Sequence, residues 1–171
     1  METLEEAYKL TKRSNGSSGI DGVTYDWIEA QGLEAYLQEL REELIRQSYR
    51  PQKNKMVEIP KAGKGTRTLK IPCIRDRVVQ GALKLIIEPI FEADFQEGSY
   101  GYRPKRQAHE AIKKVERAIL QGKSKVIDLD LKGFFDQVRH HKLMEKIAKR
   151  IQDKAIMSLI KKNRPCAKGL A

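Results

Sequence analysis

Apolar positions along the 171-residue chain fall into helical stripes interrupted by one stretch of alternating residues. Residues 2–13 place Leu4, Ala7, Tyr8 and Thr11 on one face, at the three- and four-residue spacing of an amphipathic helix. SNGSSGIDG (14–22) breaks that pattern with serine and glycine, and Asp21-Gly22 favours a tight turn. From Gly32 a second stripe runs through Leu33, Tyr36, Leu37, Leu40 and Leu44, with Glu34, Gln38, Glu39, Arg41 and Glu42 facing water. Pro51 is the latest point at which that helix can end. Two short β-prone runs, MVEIP and TRTLKIP, then flank a Lys-Ala-Gly-Lys-Gly turn, which predicts a β-hairpin with basic residues at its tip.

Residues 75–92 are apolar on nearly every face (Val78, Val79, Ala82, Leu83, Leu85, Ile86, Ile87, Ile90, Phe91). They predict a buried helix that Pro89 kinks or ends. EGSYGYRP (97–104) reads as a loop. The helix after it turns Ala108, Ala111, Ile112, Val115 and Ile119 inward and closes near Gly122. KVIDLDLKGFFD (125–136) starts as a strand with Val126, Ile127, Leu129 and Leu131 apolar. Leu143, Met144, Ile147 and Ile151 suggest one more helix, and Ile156, Leu159 and Ile160 another. The sum is an α+β chain, mostly helical, with no internal repeat or low-complexity segment.

Charge adds a direction to this picture. The net charge is +11, unevenly spread. Residues 1–49 carry five basic and ten acidic side chains, 50–77 nine and two, 78–137 ten and nine, and 138–171 ten and two. Two basic blocks thus flank a near-neutral middle. Clustered Lys and Arg attract phosphate backbones through counterion release; a solvated basic surface or an anionic-membrane contact would give the same composition. With aromatics at 6%, the core must come from Leu, Ile, Val and Ala. Cys73 and Cys166 have neither metal-ligand nor disulfide-framework spacing, so a reducing, cytoplasmic setting is expected. METLEEAYKL is acidic and amphipathic, unlike a signal peptide, and no apolar run approaches membrane-spanning length, so no membrane partner is expected.

The most chemically suggestive run is IDLDLKGFFD (127–136). Acids inside an apolar strand are costly unless compensated. Asp128 and Asp130, two residues apart, could share a strand face and together hold a divalent cation. From spacing alone the stronger reading is that one face of the sheet is open to solvent, with Asp136 capping the next helix.

DLKGFFD (130–136) resembles the first palm motif of reverse transcriptases. GSSGIDGVTYD (16–26) resembles the N-terminal extension motif of the group II intron-encoded members. IPKAGKGTRTLKIPCIRDRVVQGALKLIIEPIFE (59–92) is similar to their fingers block, FQEGSYGYRPKRQAHEAI (95–112) to the SYGFRP block that follows, and HHKL (140–143) to what succeeds the palm motif. These blocks stand in the family's order over about residues 14–163. Retroviral enzymes lack the extension motif and the SYGFRP-like block, so the intron-encoded group is the better match.

The resemblance implies mostly helical fingers with a basic β-hairpin, plus an incomplete palm sheet. Residues 1–124 would be N-terminal extension and fingers, and 125–171 a partial palm. It implies an RNA-directed DNA polymerase using Mg²⁺, an RNA template, a DNA primer and dNTPs, with intron RNA as a further partner. Asp130 matches the metal-binding aspartate, and Leu131 would add its backbone carbonyl. Lys61 and Arg67 match the residues that clamp the incoming triphosphate. Phe134 and Phe135 fall at the nucleotide: Phe135 at the ring beneath the sugar, Phe134 the better candidate for a core aromatic. Arg75 and Arg103 stand where the family contacts template or nucleotide. Asp76, between Arg75 and Arg77, reads as a helix-start ion arrangement. His109, His140 and His141 are given no catalytic role, and Trp27 is expected to pack against the N-terminal helix or loop.

Two features of the family are not found in these residues: the Tyr-x-Asp-Asp hairpin that supplies the remaining carboxylates, and the TPQG-type block. The chain therefore reads as stopping short of a working palm. It is expected to bind nucleic acid without polymerising it, and to self-associate through the fingers or through an unpaired palm edge. Three other readings remain: an RNA-binding module retained without catalysis, an inert relic, and a different palm enzyme such as a nucleotidyl cyclase. The last has no place for the fingers block or the SYGYRP loop.

Overall fold

The first helix forms where the sequence places an apolar stripe between acidic and basic ends. In a computed structural model, which describes residues 1–60, 65–131 and 133–163 (without the side chains of Phe135 and Asp136), α1 spans Glu2–Arg13. Glu2 and Glu5 lie in its first turn and Lys12 and Arg13 in its last, the polarity that the helix dipole favours. Its stripe of Leu4, Ala7 and Tyr8 is buried against α4 (Ile74–Glu92). The two helices approach closely: a Cβ on Gly81 would lie 3.3 Å from the Ala7 methyl.

Between them come α2 (Tyr25–Gln31) and α3 (Leu33–Ile45). The apolar pattern does not predict α2, although Thr24 carries its signal: the Thr24 hydroxyl caps the helix by accepting from the Trp27 amide at 3.2 Å. Tyr25 and Ile28 are the buried residues of α2. Trp27, expected to pack inward, is half-exposed because its helix face is turned to solvent. Tyr8 meets Tyr25 edge-on, with ring centroids 5.7 Å apart. α3 contributes Leu37 and Leu40 to the same core.

A two-stranded antiparallel sheet follows, β1 (Lys55–Pro60) and β2 (Thr66–Ile71), in a register that pairs Lys55 with Ile71 and Pro60 with Thr66. The predicted tip residues, Lys61 to Lys64, lie outside the described residues.

Helix α4 is where patterning and structure part. It runs through Pro89 to Glu92 rather than stopping there. Its buried residues end at Leu83, and Ile86 is 46% exposed. The expectation of burial on all faces is therefore corrected: α1 and α3 cover only the first half of the helix.

The correction is larger for α5 (Ala108–Leu120). Its apolar stripe, expected to face inward, has no buried residue; Ile112 is 62% exposed and Val115 and Ile119 are 58% exposed. Gly122 does close it, at φ +85°. Residues 125–131, predicted as a strand, form no ladder: Val126, Ile127, Leu129 and Leu131 are all at least 70% exposed. A strand needs a neighbour for its N–H and C=O groups, and none of the described residues supplies one. The palm sheet is accordingly not formed among the described residues.

After the short α6 (Phe134–Gln137), α7 (His140–Ala148) and α8 (Lys154–Lys162) match the two predicted helices. Asp153 caps α8, accepting from the Ile156 amide at 2.8 Å. Ile156, Leu159 and Ile160 pack against the core built by α1 to α4. Residues on either side of position 124 thus share one apolar core.

Candidate nucleic-acid interface

The hairpin β1–β2 stands off the helical core with no third strand among the described residues. Its side chains are exposed or at most half-buried on both faces; Met56 is 58% exposed and Leu69 38%. Arg67, opposite Ile59, and Lys70, opposite Met56, project from the exposed β2. A two-stranded ribbon with open faces and cations along one strand can lie against a polyanion without disturbing a core. Lys61, the other residue assigned to the triphosphate clamp, lies outside the described residues.

The base of the hairpin is held by a buried polar centre. Asp76, in the first turn of α4, is 1% exposed. It accepts a hydrogen bond from the Tyr49 hydroxyl at 2.6 Å and another from the Gln52 amide at 2.9 Å. Burial, then the bond to Asp76, pushes the Tyr49 pKa far above its usual value. Lys162 donates to the carbonyls of Gln47 and Tyr49 at 3.1 and 3.2 Å, tying the end of α8 to the same segment. Asp76 is therefore no mere helix-start ion arrangement but the acceptor that fixes the 49–52 segment leading into β1. A signal existed: an acid within the most apolar helix, where a buried charge needs donors.

Arg75 sits at the rim of this centre. It pairs with Glu43 at 2.5 Å and lies 5.9 Å from the centroid of the Tyr49 ring. Burial works against its charge, but the Glu43 carboxylate outweighs that and raises the pKa. One edge of its guanidinium is thus engaged within the protein. Arg103 is engaged more completely, its side chain 6% exposed. Nε and Nη2 donate to the Glu92 carboxylate, Nη1 donates to the Gln96 and Ser99 carbonyls at 2.7 and 2.9 Å, and the guanidinium stacks over Phe95. It clamps the SYGYRP loop onto the end of α4. The hydrogen bonds from Arg103 hold the Glu92 carboxyl below the usual range.

Arg77 does comparable work for the extension motif. It donates to the carbonyls of Pro72 and Gly16, at 3.0 and 3.1 Å, and of Ser17. Gly19 approaches so closely that a Cβ there would lie 2.6 Å from the Cα of Cys73. Gly19 is thus a packing requirement against the start of α4.

Asp128 and Asp130 lie on the exposed 125–131 segment with Leu131 beside them, and Phe134 is 51% exposed in α6. The Phe135 and Asp136 side chains lie outside the described residues. The structure therefore does not bring Asp130 to the end of a strand. Reverse transcriptases use a divalent metal. Among the described residues no three of His, Cys, Asp and Glu come together to hold one. His109, His140 and His141 join no such cluster. Cys73 is buried, and burial raises its thiol pKa; Cys166 lies outside the described residues. Among the described residues no helix is long and apolar enough to cross a membrane.

The family model for Reverse transcriptase (RNA-dependent DNA polymerase) matches residues 59–170, and the chain belongs to that family. It is 41% identical to Protein YkfC of Escherichia coli over 165 residues, 93% of this chain and 43% of YkfC. It is 32% identical over 159 residues to the group II intron-encoded protein LtrA of Lactococcus lactis, 91% of this chain and 26% of LtrA. Over 89 residues, 52% of the chain and 12% of the relative, it is 34% identical to Nuclear intron maturase 1, mitochondrial, of Arabidopsis thaliana. Within the family it is of the group II intron reverse transcriptase/maturase type. The chain spans less than half the length of these curated relatives.

Proposed function

We propose that these residues are the fingers (1–124) and part of the palm (125–171) of an RNA-directed DNA polymerase of the intron-encoded type. They bind an RNA template with its DNA primer, and intron RNA, chiefly through phosphates. The observation that carries this reading is the exposed hairpin, with Arg67 and Lys70 on a ribbon open on both faces, in a chain of this family. Arg67, with Lys61, contacts the triphosphate of a dNTP, and Phe134 and Phe135 contact its sugar. Arg75 and Arg103 orient the strands by bracing the hairpin base and the SYGYRP loop. Asp130 and the Leu131 carbonyl contribute to a Mg²⁺ site that needs carboxylates from outside these residues. The 171 residues alone accordingly bind without polymerising, in a reducing, cytoplasmic setting. Their exposed apolar surface supports self-association.

The test is RNA binding against salt, followed by primer extension. The 171-residue chain should bind with a falling log-log salt dependence and show no processive incorporation with Mg²⁺ and dNTPs. Salt-independent binding would remove the phosphate-driven mode, and processive extension would overturn the assignment of the missing carboxylates. A sedimentation profile that stays monomeric at high concentration would remove the self-association.

A further inference from the structure

Helix α5 has two exposed faces of opposite chemistry. Ile112, Val115 and Ile119 form one. Lys113, Lys114 and Arg117, at helical spacing, form the other. The basic face is closed on one side by the loop that Arg103 clamps. Between loop and helix lies an open groove of about 490 Å³, lined by those three residues, Arg106, Tyr100 and two acids, Glu97 and Glu110. The Arg106 guanidinium lies 5.8 Å from the centroid of the Tyr100 ring. Surface cations on a helix ordinarily pair with acids one turn away. Here none of the four makes an ion pair among the described residues. Glu110, the acid best placed to do so, accepts the Gln107 amide at the start of the helix.

The loop adds a second, independent feature. Tyr102 is 99% exposed and sits at φ +57°. A left-handed backbone is unfavourable for a bulky residue and persists only where the surroundings enforce it. The next residue, Arg103, anchors the loop through its bonds to Glu92, Gln96 and Ser99. The outcome is an aromatic ring held wholly in solvent, on the loop that forms one wall of a basic groove.

We infer that this groove is a binding track for single-stranded RNA, in which Lys113, Lys114 and Arg117 neutralise phosphates and Tyr102 stacks an unpaired base. The inference rests on the nucleic-acid reading above and adds a site separate from the hairpin. Cations lining a groove, with an exposed aromatic on the loop that lends Tyr100 and Arg106 to its wall, are the combination that holds single strands, whose bases, unlike those of a duplex, are free to stack. A flat lipid surface would meet the rim of the groove rather than its floor.

The test is fluorescence anisotropy of a labelled oligouridylate with the full 171-residue chain. The Lys113→Gln/Lys114→Gln/Arg117→Gln variant should bind about tenfold more weakly or worse. Its log-log salt slope should be shallower by about two, at ~0.7 for each single-strand phosphate that is no longer neutralised. Tyr102→Ala should weaken binding about tenfold and Tyr102→Phe not at all, because stacking needs the ring and not the hydroxyl. These side chains are in solvent, so thermal melts should match the parent chain. Salt-dependent binding by the parent, unchanged in both the triple variant and Tyr102→Ala, would overturn the groove and leave the hairpin reading standing. No salt-dependent binding by the parent would overturn both. Loss of retention on phosphatidylserine vesicles with RNA affinity unchanged would assign the groove to a lipid surface instead.

Discussion

By sequence α4 is apolar on nearly every face and α5 carries an amphipathic stripe, so both are expected to bury apolar surface, yet they meet opposite fates. The first half of α4 is enclosed: Ile74 and Val78 have no solvent exposure, and Gly81 lets α1 approach to the Ala7 methyl. The stripe of α5 is regular, and none of it is buried. What separates them is the supply of partners. α4 packs along α1, and residues of α3 and α8 join the same apolar core, whereas the stretch after α5 forms neither strand nor cover. Periodicity tells which face of a helix seeks burial, and topology tells whether anything is there to bury it.

The sharpest way to break this comparison is one truncation in each helix. Ile74→Ala should cost about 3 to 4 kcal/mol, as a fully buried large-to-small change does, while Ile112→Ala should stay within about 0.5 kcal/mol. Chemical denaturation of both variants measures the difference; equal losses would mean that α5 is enclosed in solution.

Asp76→Ala comes next, at about 2 to 3 kcal/mol, because it strands the Tyr49 hydroxyl and the Gln52 amide. The same denaturation curves report it, and a loss below that of Ile112→Ala would show the buried centre to be dispensable.

Alkaline pH should unfold the enclosed region selectively. Burial, then Glu29, pushes the Tyr8 pKa from 10.0 to about 12. A raised folded pKa means that the folded state holds its proton longer than the unfolded one. Stability is therefore intact below pH 10.0 and falls as pH rises towards about 12. Melting temperatures across that window should drop, and Tyr8→Phe should flatten the drop.

The smallest effect belongs to the open region. Glu92, depressed by Arg103, loses its contribution as pH falls through its folded pKa, below the ordinary carboxylate range. Arg103→Gln should speed amide exchange in the loop 96–104 while the protection of α4 up to Leu83 stays unchanged. Amides of residues 125–131 should exchange fast in both proteins.

Much of this was legible in the residues. The stripes of α1, α3, α7 and α8 and the pairing of MVEIP with TRTLKIP follow from local spacing and residue type, and the blocks around Arg67 and Asp130 from resemblance to the family. Covalent proximity and side-chain alternation settle such matters without reference to the rest of the chain. The tertiary structure decided what depends on distant partners. It made Asp76 the acceptor for Tyr49 and Gln52, turned Arg103 into a loop clamp, and set Gly19 against Cys73. It also left Ile112, Val115 and residues 125–131 in water. An apolar pattern states a preference for burial, but the free energy is gained only when another surface arrives to exclude solvent. For α4 that surface comes from helices at both ends of the chain; for α5 none of the described residues provides it.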